Sequence, residues 1–136
     1  MEEWLMYSIL ALIVFGFWGF FPKLAGNYIS PKSVMLYEVL GAIIIGMGVL
    51  FLVNFKPETH PYGILFGILT GIAATLGSLF YIFAVRYKQV SIVVTMTALY
   101  PVITILLAFL FLNESITIRQ GIGMVFALIA IVLFSL

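Results

Sequence analysis

The chain has 136 residues, of which 65% are hydrophobic and 8% charged, with a net charge of +1 and a mean hydropathy of +1.30. Soluble domains are about 45–50% apolar and about 25% charged, so so much apolar side chain excludes a water-soluble fold and requires lipid as the solvent. The near-neutral balance leaves no basic patch for nucleic acid, the absence of cysteine excludes disulfides and thiolate metal sites, and the single histidine, His60, excludes a multi-histidine metal site within one chain.

A membrane-spanning helix needs about 20 mostly apolar residues. The first such run covers residues 4–21, "WLMYSILALIVFGFWGFF". Before it, Met1-Glu2-Glu3 lacks the basic start of a secretory signal, and no small-residue cleavage site follows. The run is therefore expected to be a retained membrane helix. The connection after it holds Pro22, Lys23, Gly26, Asn27, Ser30, Pro31 and Lys32.

The second run covers 33–55 and ends in "NFKPETHP", where Pro57 and Pro61 stop helices on either side. The third covers 62–85. Within it Gly67, Gly71, Ala74 and Ser78 recur at helical spacing on one face. Small residues let helices approach closely in lipid, so this stripe is expected to pack within one subunit. The connection "RYKQV" is short enough to make the third and fourth helices adjacent and antiparallel.

The fourth run covers 91–112, with Pro101 near its middle. Proline lacks the N–H that would bond the Thr97 carbonyl and clashes with that carbonyl, so a kink is expected. The kink either only shapes the helix or lines a cavity and serves as a hinge. Thr95, Thr97 and Thr104 offer hydroxyls for the freed carbonyl. The fifth run covers 116–136, with Ser115 as a candidate cap or residues 116–119 as the first turn. Its Gly123, Ala127 and Ala130 form a small-residue face, expected to be a subunit contact.

The predicted fold is thus an all-α integral membrane protein of five transmembrane helices in a single domain, 1–136. Loops one and three carry Lys23, Lys32, Arg86 and Lys88, while the opposite side carries Lys56 and Arg119. Four against two favours the N-terminus outside and the C-terminus inside, and is weak enough to allow both orientations.

Four motifs carry a resemblance: "FGFWGF" closing the first helix, "SP" eight residues before the charged position of the second, "ALYPVITILLAFLFLNESIT" through the fourth, and "RQGIG" opening the fifth. With them the chain resembles a single EamA-type repeat of the drug/metabolite transporter superfamily, most of all its small five-helix bacterial and archaeal members. The resemblance covers essentially the whole chain and is strongest over 100–123. It implies transport of small metabolites, amino acids, drugs or sugar conjugates by alternating access. Larger relatives fuse two inverted repeats around a central cavity, so a single repeat implies a partner copy. The weak charge bias fits an antiparallel homodimer, with a parallel dimer or a heteromer as alternatives. The family motif residues fall on Trp18, Pro101, Glu114, Gly121 and Gly123. Glu114 reads as structural, paired with Arg119 or accepting hydrogen bonds from the start of the fifth helix.

Glu38 is the one charge inside the second run. Many larger relatives have an arginine at this place, so the sign is reversed here. An ionised carboxylate deep in a bilayer costs several kcal/mol, and three roles fit it: an ion pair with Lys23 or Lys32, exchange of a proton for a cationic substrate, or direct substrate contact. A cavity beside it would take its walls from Trp18, Tyr37, Tyr81, Tyr100 and Thr97, whose rings and hydroxyls suit organic cations and polar solutes. Trp4, Tyr7, Tyr62 and Tyr87 are better placed as interface anchors.

The expected function is a secondary transporter of small organic solutes, working as a dimer in the plasma or inner membrane. No Gly-Lys-Ser/Thr phosphate loop occurs, so nucleotide hydrolysis is unsupported, and no cofactor is expected. The alternative is an accessory membrane subunit that binds a metabolite or lipid-linked solute without transporting alone. An enzyme is disfavoured, because no cluster of acid, base and nucleophile appears.

Overall fold

The computed structural model describes residues 2–135, and the side chains of 2–133. Its elements are α1 (Glu3–Ala25), α2 (Pro31–Leu52), α3 (Pro61–Tyr87), α4 (Val90–Thr97), α5 (Tyr100–Phe111) and α6 (Ile118–Ser135). Among the described residues there is no strand. Glu3–Ala25, Pro31–Leu52, Pro61–Tyr87 and the combined Val90–Phe111 are long and apolar enough to cross a membrane, and α6 is a shorter apolar helix. Leu136, the expected end of the fifth helix, lies outside the described residues.

The helix ends differ from the expected ones for local reasons. α1 runs through Pro22 to Ala25 instead of stopping at Phe21. α2 starts two residues early, at Pro31, because Ser30 is its N-cap: the Ser30 hydroxyl accepts from the Ser33 N–H at 3.4 Å. Proline at the first helical position loses no intrahelical bond, so "SP" is a start signal. α2 ends at Leu52 instead of Phe55, where Asn54 and Phe55 take left-handed conformations (φ 53° and 57°). The Phe55 N–H then returns to the Leu50 carbonyl at 3.0 Å. The Phe55 ring meets Phe51 edge-on, with centroids 4.9 Å apart.

The fourth run is broken. Ala98 and Leu99 separate α4 from α5, and Pro101 lies in the first turn of α5. Around the break the chain tightens. Leu99 bonds back three residues to Met96 (3.3 Å), and Val102 back three to Leu99 (3.0 Å). This is the short-pitch bonding that helix termini adopt. α6 starts at Ile118 with a capping box at Thr117, which neither a cap at Ser115 nor a first turn over 116–119 matches. The Gln120 side chain accepts from the Thr117 N–H at 2.9 Å, and the Thr117 hydroxyl accepts from the Gln120 N–H at 3.3 Å.

The chain divides into two compact units, Met1–Tyr87 and Lys88–Leu136. In the first, α3 packs against α1 and α2. Its core is small: Val34, Met35 and Ile82 are buried together, with Ala25, Ile29, Val39 and Leu79 around them. All of these lie toward one end of the three helices. At the other end α3 is open: Gly67, Gly71 and Ala74 are exposed, and a methyl group added at Gly67 or Gly71 would meet nothing within 4 Å. The small-residue stripe expected to pack within the chain does so only at Ser78, which is 3% exposed. In the second unit α4 packs on α6, and Val93 is its buried residue. α6 turns Gly121, Met124, Leu128 and Ile131 inward and leaves Gly123, Ala127 and Ala130 exposed.

Candidate functional site: a polar layer across the first three helices

The inward residues of α2 are Pro31, Val34, Met35 and Glu38; those of α3 are Ser78, Tyr81, Ile82 and Val85. Both sets recur at intervals of three and four, which places each set on one helical face. The faces meet in antiparallel register. Glu38 meets Ser78, Val34 and Met35 meet Ile82, and Pro31 shares a cavity wall with Val85. α1 runs parallel to α3: Trp18 and Gly19 meet Tyr81, and one turn on Lys23 meets Val85.

This register brings one carboxyl group to donors on two other helices. The Trp18 indole N–H donates to Glu38 Oε1 at 2.9 Å. The Ser78 hydroxyl lies 2.6 Å from both Oε1 and Oε2. Glu38 is half-buried and Ser78 buried. At about 1.5 Å per residue, Glu38 lies roughly 10 Å inside the start of α2. Trp18 lies about as far from the end of α1, and Ser78 slightly further from the end of α3. The three form one layer, deeper than a helix start at Ser33 would have made it.

The Tyr81 ring stacks on Trp18, with centroids 5.1 Å apart and planes 29° from parallel. Its hydroxyl donates to the Gly19 carbonyl at 2.6 Å. Pro22 has no N–H to give the Trp18 carbonyl, whereas the Gly19 carbonyl faces the Lys23 N–H of the helix ladder. The Tyr81 hydroxyl is therefore an added donor that ties α3 to the turn of α1 before Pro22.

Lys23 donates to the Val85 carbonyl at 2.6 Å. That carbonyl belongs to the last turn of α3, where it has no helical donor, and a cation there also suits the helix dipole. Lys32 is exposed and makes no ion pair among the described residues.

Of the residues expected at a site, Trp18, Glu38 and Tyr81 come together. Tyr37 is exposed on the next face of α2, and its side chain makes no hydrogen bond among the described residues. In the second unit the Thr97 hydroxyl bonds back to the Val93 and Val94 carbonyls, each at 3.0 Å. Tyr100 is exposed, and its carbonyl accepts from Thr104 at 3.3 Å. The Glu114 carboxylate has no hydrogen bond or ion pair among the described residues. Gln120 supplies the group that caps α6, while left-handed Asn113 (φ 53°) turns the Glu114 N–H toward the Ala108 carbonyl at 3.4 Å. Ser78 was legible only as a packing residue, and its signal as a partner is a lone hydroxyl in an apolar face.

Among the described residues no group of three or more His, Cys, Asp or Glu could hold a metal ion. A helical chain with four apolar spans and a polar layer between helices is a multi-pass membrane protein. The chain belongs to the EamA-like transporter family, whose model matches residues 3–136 as a single domain. That family consists of membrane transporters of the drug/metabolite type, not of enzymes. The chain is also similar to the uncharacterized protein MJ1333.1 of Methanocaldococcus jannaschii, 27% identical over all of this chain and 98% of the other. No solved structure matches it.

Proposed function

We propose that the protein is a secondary transporter of small organic solutes, with Glu38 as the carboxylate that meets the substrate or a coupling proton. The observation that carries this reading is the environment of Glu38: a half-buried carboxyl group inside a membrane helix, held by two neutral donors, Trp18 and Ser78. A carboxylate kept at such a depth is a functional site by default, because its desolvation has to be offset. The Trp18 and Tyr81 rings beside it offer π faces to an organic cation.

In this reading the working unit is a homodimer, antiparallel in the arrangement that the family resemblance favours, in the plasma or inner membrane. Two open small-residue faces support a second copy: Gly67, Gly71 and Ala74 on α3, and Gly123, Ala127 and Ala130 on α6. Helices pair in lipid through such faces. The break before Pro101 supports a hinge for alternating access.

The test is solute-evoked current or proton flux from reconstituted protein on a supported membrane. Organic cations, amino acids and neutral metabolites are compared for wild type and Glu38→Gln. Solute-dependent proton flux that is lost in the variant, with the dimer intact, is the expected result. Flux that survives makes Glu38 a structural charge. Silence from both proteins across the panel favours the accessory-subunit reading.

A further inference from the structure

Where α1 and α3 end and α2 begins, a cavity of about 80 Å³ opens between them, lined by Pro22, Lys23, Asn27, Pro31, Val85 and Arg86 among others. It is separate from the Glu38 layer and uses none of its residues. From this cavity we infer a binding site for the phosphate group of an anionic phospholipid.

The lining carries the chemistry. Lys23 and Arg86 bring two positive charges, and Asn27 brings an amide donor. Lys23 is pinned at the wall by its bond to the Val85 carbonyl. Arg86 makes no hydrogen bond or ion pair among the described residues, so its five donors are uncommitted. The guanidinium fork matches two oxygens of a phosphate. Pro22, Ile82 and Val85 supply an apolar floor. The volume is several times the about 10–15 Å³ that one water requires.

The position selects a lipid over a dissolved anion. The cavity lies at helix ends, at headgroup level, and not at a midplane. Lys32 stands one residue beyond Pro31 and adds a third charge on the same side. Basic pockets between membrane helices on the positively charged side of a protein hold anionic headgroups. The site also ties together three helices whose shared core is small, so an occupant bound only by the folded state stabilises the unit.

The experiment uses the full chain, purified in neutral detergent and delipidated. Thermal unfolding is followed with added phosphatidylglycerol, with phosphatidylcholine of the same acyl chains, or with inorganic phosphate. The expected result is a rise of several degrees with phosphatidylglycerol alone. That rise disappears in Arg86→Gln and shrinks in Asn27→Ala, while the lipid-free midpoint of either variant stays near wild type. Equal shifts with both lipids would overturn the proposal, as would a selectivity that both variants retain. A shift with inorganic phosphate alone would replace the lipid by a soluble anion.

Discussion

The Ser78 hydroxyl stands 2.6 Å from both carboxyl oxygens of Glu38, across the α2–α3 contact. One hydrogen serves two acceptors there, and Trp18 supplies a second donor from α1. Ser78→Ala removes the α3 partner and leaves the carboxyl group to Trp18. Interhelical hydrogen bonds in membranes average about 0.6 kcal/mol and reach about 1.7. The variant is expected to lose stability within that range, as read by reversible unfolding in mixed micelles.

Trp18 acts on two neighbours at once, and one substitution separates them. Trp18→Phe keeps an aromatic ring against Tyr81 and removes the indole donor to Glu38. The expected loss is about 1 kcal/mol. In the Glu38→Gln background the same change is expected to cost less, and a double-mutant cycle measures the coupling.

Tyr81→Phe tests the tie between α3 and α1. The Gly19 carbonyl loses the Tyr81 hydroxyl and keeps the Lys23 N–H of its own helix. A hydrogen bond contributes about 0.5–1.5 kcal/mol net, and reversible unfolding in mixed micelles is expected to show a loss within that range.

The start of α6 gives a prediction confined to the second unit. Thr117→Ala removes the hydroxyl that accepts from the Gln120 N–H and donates to the Gln120 side chain, and leaves the Thr117 N–H bond to that side chain in place. Loss of an N-cap costs about 0.5–2 kcal/mol. Exchange protection of the first turn of α6 is expected to fall, with α1 to α3 unchanged.

Pro101→Ala restores an N–H that can bond the Thr97 carbonyl. The break at Ala98–Leu99 is then expected to close into a continuous helix, since a proline inside a helix costs about 3 kcal/mol. Amide protection over 98–102 should increase. If the break serves transport, turnover falls while substrate binding persists.

The membrane class and the positions of four spans were legible in the chain because hydropathy and span length are local properties, while the fifth run forms a shorter apolar helix. Helix boundaries were less legible, although Ser30-Pro31 and Thr117 with Gln120 carry recognisable start signals. Pro22 looked like a stop and proved to lie inside α1, one turn before its end.

The sequence by itself determined that lipid is the solvent, that Glu38 is the isolated charge of its span, and that Pro101 interrupts the fourth. Only the tertiary structure decided what Glu38 meets. Its partners lie 20 residues before it and 40 after it. They depend on the register in which α2 and α3 run past each other, and a shift of one residue would turn Ser78 about 100° away. The open Gly67–Gly71 face is likewise a tertiary outcome. The same small residues would pack in either half of α3, but the helices converge at the end where Ile82, Val85 and Met35 interlock.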